Sequence, residues 1–324
     1  MVSVFIPTYN SSRHIGSTIE SLLSQTFRDI EILCVDDGST DQTVEVLQEY
    51  SRKDGRVKFF CKKNQGSVPF SWNYIFPYLN GEYTLYMSHD DLLEPDTIEL
   101  LVYEGGSCEE IDCVIPQVVF FSEDLNNPES EYAQMNKNYC NLRHGVISGV
   151  EAFNLMLDYT IPGFALWKTS LIKKIGMPTA SFNSDEFAQR LWVKNCRKVA
   201  FSNAKFGYRQ TPHSIVRGFK PYHIFSLDTN LKLFNEALSC DNVSECRLRE
   251  LQLKYYQALL YLNSKYRKVK DAFSEEDRKR IDAVIVASYD AYRENLHVPL
   301  SVKGVIIKLS AIYRVIFNIM VFAR

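Results

Sequence analysis

Residues 30–41, IEILCVDDGSTD, constrain the fold more than any other stretch. Ile30, Ile32, Leu33, Cys34 and Val35 form a short apolar run rich in β-branched residues, the pattern of a strand buried on both faces of a parallel sheet. Asp36 and Asp37 follow at once, and Gly38 permits a tight turn. Ser39 is placed to N-cap the next helix, with Gln42 completing a capping box. A buried strand therefore delivers two acids to its carboxyl end, the edge at which open α/β sheets bind ligands. A second pair, Asp90 and Asp91, follows the apolar run 83–87 in the same way.

Around this stretch the chain alternates. Residues 2–6 read as a strand closed by Pro7-Thr8-Tyr9-Asn10, and Ser11 or Ser12 then caps a helix with Ile15, Ile19, Leu22 and Leu23 on one face. The strand at 30 is followed by a helix with Val44, Leu47 and Tyr50 inward, and by a strand at 57–61. This β-α-β-α-β order predicts a parallel sheet with right-handed crossovers. A polar loop, Lys62 to Gly66, leads to a short helix at 71–79 bounded by Pro69 and Pro77, and Pro95 opens the helix after the second acidic pair. A strand is expected at 113–121, a long polar loop at 122–141, helices at 149–157, 168–175 and 184–194, and short strands at 199–201 and 206–208. Beyond 222 long helical patterns dominate, with Leu248, Leu251, Tyr255, Leu259 and Leu262 in register and a charged break at 271–277.

The composition fits a soluble globular protein: 46% hydrophobic and 23% charged residues over 324 positions, with a net charge of −2 that gives no reason to expect nucleic acid as partner. None of the 8 cysteines forms a CxxC pair, so a zinc site is not expected and a reduced, cytoplasmic setting fits. No signal peptide is visible in the first ten residues, where the apolar run breaks at Pro7.

The candidate chemistry lies in the acids. Asp36 or Asp37 can accept hydrogen bonds from a ligand's N–H or hydroxyl groups, and Tyr9 offers a stacking face. Asp90 and Asp91 supply hard oxygens of the kind Mg²⁺ or Mn²⁺ takes, with phosphate and water completing the shell. His89 either adds an imidazole or points into the sheet. Asp185 and Glu186 open a helix, where its dipole favours the carboxylate; either is a candidate base, or simply a helix-terminus acid.

The blocks VSVFIPTYN, IEILCVDDGSTDQT, the loop Lys63-Asn64-Gln65-Gly66 and YMSHDDLLEPD resemble, in order and spacing over about residues 1–100, the family 2 glycosyltransferases. GFALWKTSLIKKIGM, SDEFAQRLW and GYRQTPHSI extend the resemblance to about residue 217. It implies a GT-A fold: a Rossmann-like, mostly parallel sheet flanked by helices, with a C-terminal helical extension. The catalytic domain would span 1–217, with a nucleotide half to about 100 and an acceptor half from 101, followed by helices from 218 to 324. The implied activity is inverting transfer from a nucleotide sugar, UDP the commonest donor, to a glycan or lipid-linked acceptor with a divalent cation. Pro7, Thr8, Tyr9, Asp36, Asp37, Asn64, Gly66, His89, Asp90 and Arg209 fall on the nucleotide-sugar side, Asp91 and Asp90 on the metal, and Asp185 or Glu186 on the base. Two positions depart: Ser88 stands where many members begin the metal motif with an acid, and Thr211 where a His often follows the Arg, with His213 displaced by two. They leave open a nucleotide-sugar-binding protein with impaired catalysis. A Rossmann dehydrogenase would need GxGxxG after the first strand, where this chain has PTYNSS.

Residues 298–324 carry Lys303, Lys308, Arg314 and Arg324, no acid, and many apolar side chains. A basic amphipathic helix there either lies on an anionic membrane, making the enzyme peripheral on the inner face of the cytoplasmic membrane, or packs on the catalytic domain or a second copy as a homodimer.

Overall fold

In the computed structural model the described residues are 1–121, 145–157, 161, 163–178, 183–210 and 219–294. They divide into two compact units, Met1–Thr179 with Ala188–Gln210, and Ala180–Phe187 with Thr211–Arg324. The expected loop at 122–141, the tail at 298–324, and Thr211 and His213 lie outside the described residues.

The first unit is α/β. Strands β1 (Val2–Thr8), β2 (Ile30–Asp36) and β3 (Val57–Cys61) alternate with α1 (Ile15–Leu23) and α2 (Thr43–Lys53). Helix α3 (Val68–Ile75) and the 3₁₀ turn Phe76–Tyr78 lead to β4 (Tyr83–Tyr86). Then come β5 (Leu92–Leu93), α4 (Thr97–Gly106) and β6 (Ile111–Phe121). They are followed by β7 (Val146–Ser148), α5 (Gly149–Met156), β8 (Leu166–Lys168), α6 (Thr169–Ile175), α7 (Ser184–Lys194, of which the residues before Ala188 are assigned to the second unit) and β9 (Lys198–Arg209).

Among the described residues nine strands join in one sheet, ordered β3-β2-β1-β4-β8-β6-β9-β5, with β7 also on β9. β3, β2, β1 and β4 are mutually parallel; β8 then runs antiparallel to both β4 and β6, and β9 is parallel to β6. Every residue of β1 and β2 is buried, because both faces are covered. Side chains alternate across the pleat. Val4, Ile6, Ile32 and Cys34 meet Ile15, Ile19, Leu22, Leu47, Ile98 and Leu101 of α1, α2 and α4. Phe5 faces the other way, with its ring 4.6 Å from that of Trp72 on α3, and Trp72 in turn lies 5.2 Å from Trp192 of α7. The register sets Thr8 beside Asp36. β1 lies between β2 and β4, so chain order reverses there, and the carboxyl ends of β1 and β4 flank the topological switch point.

Several local expectations are corrected. Ser39 does not cap α2, which begins at Thr43; its hydroxyl is taken by Asp36, and Asp41 instead receives the Thr43 N–H at 3.0 Å. Neither Ser11 nor Ser12 caps α1 through its side chain, since the Ser11 hydroxyl accepts from the Tyr9 N–H (3.1 Å) and His14 holds the cap position. The helix expected from 71 starts at Val68, because Pro69 is tolerated within its first turn. Pro95 precedes α4 by two positions and gives its carbonyl to the Thr26 N–H. β8 replaces the first residue expected in a helix, and the two short strands near the end are one, β9.

The second unit contains α8 (Ser226–Leu238), α9 (Glu245–Val269) and α10 (Glu275–Glu294). Ser244 caps α9 by accepting the Arg247 N–H at 3.2 Å. Phe234, Tyr255 and Tyr292, one from each helix, meet with centroids 5.0–6.2 Å apart. No helix among the described residues is long and apolar enough to cross a membrane.

Candidate active site

The turn after β2 is built on its acids. Asp36 is 1% exposed, and its carboxylate accepts from the N–H groups of Gly38 (3.1 Å) and Ser39 (2.9 Å) and from the hydroxyls of Thr8 and Ser39. Four donors consume its capacity, so Asp36 shapes the turn rather than offering itself outward. Gly38 sits at φ +75°, and a Cβ there would meet the Asn64 nitrogen at 3.0 Å. Asp37 is 7% exposed; its carboxylate pairs with the Lys62 ammonium and accepts the N–H groups of Gln65 (2.9 Å) and Gly66 (3.1 Å). It thereby folds the Asn64–Gly66 loop back over the end of β2. Tyr9 is 48% exposed at the end of β1, while Pro7 and Thr8 beside it are buried.

The turn after β4 divides its two acids. Asp91 is 0% exposed, and its two oxygens accept the backbone N–H groups of Ser88 (3.1 Å) and Arg209 (3.2 Å). Burial pushes its carboxyl well above the ordinary range, with Asp90 adding to the effect. Asp90 is half-buried, and among the described residues no hydrogen bond reaches its carboxylate; only its backbone carbonyl is held, by Arg209 Nε at 2.8 Å. The Arg209 guanidinium also lies 4.6 Å from the centre of the Phe121 ring. Burial lowers the His89 imidazole below its usual value, with Asp90 and Asp41 pulling it back. Burial likewise lowers His14, and the charge of Arg209 adds to this while Asp90 opposes it. These mutual influences put His14 within electrostatic reach of Asp90 and Arg209, and His89 within reach of Asp90 and Asp41.

The paired acids expected from the sequence thus come to the carboxyl ends of β2 and β4, the two strands that flank β1, but in unequal roles. Asp90 is the carboxylate left uncommitted; Asp91, expected to lead in holding a metal, is enclosed. A divalent ion bridging a donor's phosphates needs one or two carboxylates, the substrate and water supplying the rest. Asp90 fits that role. Among the described residues no group of three His, Cys, Asp or Glu would retain an ion unaided. Asp185 and Glu186 stand in the first turn of α7, in the second unit.

Sequence reasoning missed Lys62 as the counter-ion of Asp37, and Thr18, whose hydroxyl lies 2.9 Å from the carbonyls of both His89 and Asp91. The signal for Thr18 was present: it is a polar residue in the same inward stripe as Ile15, Ile19 and Leu22. A separate cavity of about 440 Å³, lined by residues including Asn80, Glu82, Lys168 and Lys173, opens at the amino end of β4, away from the acids. Both its lysines are already committed to backbone carbonyls, those of Glu109 and Leu79.

The profile described as Glycosyl transferase family 2 matches residues 3–175. Chondroitin synthase of Escherichia coli is 40% identical over 114 residues, 35% of this chain, and that match spans only 16% of the synthase. Glycosyltransferase GlyG of Streptococcus pneumoniae is 26% identical over 223 residues, covering 67% of this chain and 73% of its own. Among solved structures, S. aureus TarS 1–349 in complex with UDP superposes with a TM-score of 0.59 at 17% identity, over 91% of this chain and 88% of that one. The mannosyltransferase PcManGT of Pyrobaculum calidifontis, in complex with GDP-Man and Mn²⁺, gives 0.56 at 15% identity, over 91% and 87%. At these identities the two structures speak for the fold.

Proposed function

The chain belongs to glycosyl transferase family 2, and from that premise we propose that it moves a sugar from a UDP-linked donor to a hydroxyl of a glycan or lipid-linked acceptor, with inversion and with Mn²⁺ or Mg²⁺. The observation that carries this reading is the Asp90 carboxylate, which no described donor occupies although the backbone on both sides of it is tied down. The UDP complex of TarS and the Mn²⁺ complex of PcManGT support the choice of donor and ion.

In this reading Tyr9 presents its exposed ring to the base. Asp37 with Lys62 holds the Asn64–Gly66 loop as the wall of the nucleoside pocket, and Asp36 and Gly38 set the turn beneath it. Asp90 holds the ion, with His89 beside it, and Asp91 supports the turn from below. When bound, the ion supplies Lewis-acid stabilisation of the departing diphosphate. Arg209, fixed next to Asp90, adds positive charge where the phosphate charge grows. Asp185 or Glu186 takes the proton of the acceptor hydroxyl as its oxygen bonds to the anomeric carbon and the bond to the diphosphate breaks; the SDEFAQRLW block and the helix N-terminus support that role. The basic residues of 298–324 would favour an acceptor presented at an anionic membrane surface.

The test is release of nucleotide from a panel of UDP- and GDP-sugars in Mn²⁺ or in EDTA, with and without oligosaccharide acceptors. One donor is expected to turn over slowly alone and faster with its acceptor, only in Mn²⁺ or Mg²⁺. Failure of every nucleotide sugar to bind would remove the proposal.

A further inference from the structure

The segment that carries Asp90 has little secondary structure of its own. Among the described residues, only the two residues of β5 between β4 and α4 pair with another strand, and that partner, β9, lies on one side. Asp91 and Leu93 are nonetheless buried, at 0% and 4% exposure. Buried backbone groups on the other side need partners. They find them on α1 and the residues just after it.

The contacts run in order along the helix. Thr18 Oγ1 lies 2.9 Å from the carbonyl of His89 and 2.9 Å from that of Asp91. Three residues on, the Ser21 hydroxyl accepts the Leu93 N–H at 3.4 Å. Gln25 Nε2 donates to the Glu94 carbonyl at 2.7 Å, and Gln25 Oε1 accepts the Ile98 N–H at 3.0 Å. The Thr26 N–H donates to the Pro95 carbonyl at 2.7 Å. Thr18, Ser21 and Gln25 recur at helical spacing, so one stripe of α1 takes the place of a neighbouring strand. Thr18 and Gln25 are both 0% exposed, so water does not substitute for either.

At Asp90 this has a particular consequence. The single Thr18 hydroxyl proton is shared between the carbonyls of the residues before and after it, and Arg209 Nε holds its own. The peptide planes on both sides of its Cα are held, while among the described residues no donor reaches its carboxylate. Aim is normally obtained by hydrogen bonds on the functional group itself, which uses up lone pairs a ligand needs. Here it comes from the backbone.

We propose that Thr18 is a positioning residue of the donor site, holding the His89–Asp91 turn from α1 so that the Asp90 carboxylate points at the ion that accompanies the donor's diphosphate. The inference rests on Asp90 being the metal-holding acid. It predicts that removing the Thr18 hydroxyl weakens the ion and spares the nucleoside. Partners one shell behind a metal ligand carry about 10–100-fold in metal affinity.

The experiment titrates Mn²⁺ into protein with UDP and reads UDP affinity by calorimetry, in wild type and in Thr18→Val, Thr18→Ser and Ser21→Ala, with melting curves for each. Thr18→Val should raise the Mn²⁺ concentration needed for tight UDP binding about tenfold or more, leave UDP affinity in EDTA unchanged, and be rescued by Thr18→Ser. Ser21→Ala removes a bond of the same stripe away from the turn; it should lower the melting temperature without moving the Mn²⁺ midpoint. A Thr18→Val midpoint equal to wild type overturns the inference. So does a shift that Ser21→Ala reproduces in proportion to lost stability, which is what a purely structural role gives. A wild type whose UDP affinity ignores Mn²⁺ removes the reading of Asp90 and this inference with it. If Asp90→Asn abolishes the Mn²⁺ effect while Thr18→Val does not shift it, the inference alone fails.

Discussion

Arg209, the last residue of β9, donates its backbone N–H to the carboxylate of Asp91 at 3.2 Å, although 118 positions separate them in the chain. Its Nε reaches the carbonyl of Asp90 at 2.8 Å. One residue from the far side of the sheet thus closes the turn after β4, and the two neighbouring acids receive opposite duties. The Asp91 carboxylate is spent on backbone; among the described residues no donor reaches that of Asp90.

Asp91→Ala should therefore act on stability first. It orphans the buried N–H of Arg209, at about 1–3 kcal/mol, and the part-buried N–H of Ser88, at less. Urea unfolding is expected to show a loss of that order, with Asp91→Asn losing less because one amide oxygen still accepts. A stability equal to wild type in Asp91→Ala would contradict the structural duty given to this carboxylate.

Gly38→Ala places a Cβ at φ +75° and 3.0 Å from the Asn64 nitrogen. The left-handed backbone alone costs about 1–2 kcal/mol for a non-glycine residue. The clash falls on the loop that Asp37 holds, so UDP binding should weaken together with the melting temperature. Calorimetry and a thermal melt on the same sample check both.

Glu31 tests pH dependence away from the site. Burial would raise its carboxyl, but hydrogen bonds from Ser3, Asn80 and Lys58 outweigh burial and hold it below its ordinary 4.5. A lowered folded-state value means stability that is present above the unfolded value and lost as pH falls through the folded one. Thermal melts from neutral pH to below 4 should show a steeper acid loss in wild type than in Glu31→Gln, with the variant less stable at neutral pH. Parallel curves would mean the network contributes nothing through ionisation.

Asp185→Ala and Glu186→Ala separate the two candidate bases. The variant lacking the base should lose about 10²–10⁴ in turnover while its UDP affinity stays within about twofold. Full turnover in both variants would remove the assignment.

Much of the fold was legible because β1 and β2 are buried on both faces, and their unbroken apolar runs show it. β8 was not: its three residues follow Gly163 and pair only with strands remote in sequence. β9 read as two pieces because Asn203 and Lys205 face outward in its middle, near a shift of register against β6. The helix caps were misplaced because Asp36 claims the hydroxyl of Ser39, a competition only the folded turn reveals. Acids at strand ends could be located from local pattern. Their division of labour could not, since it is set by donors such as the Arg209 N–H and the Lys62 ammonium that arrive from elsewhere in the chain.

The central claim is that Asp90 joins an ion to the donor's diphosphate, and the most direct measurement is UDP binding by calorimetry, with and without Mn²⁺, in wild type and Asp90→Asn. Mn²⁺ should tighten UDP binding in wild type by about tenfold or more, as expected for a cation shared between carboxylate and phosphate, and should leave the variant at its metal-free affinity. An Asp90→Asn protein that gains as much from Mn²⁺ as wild type would contradict the account.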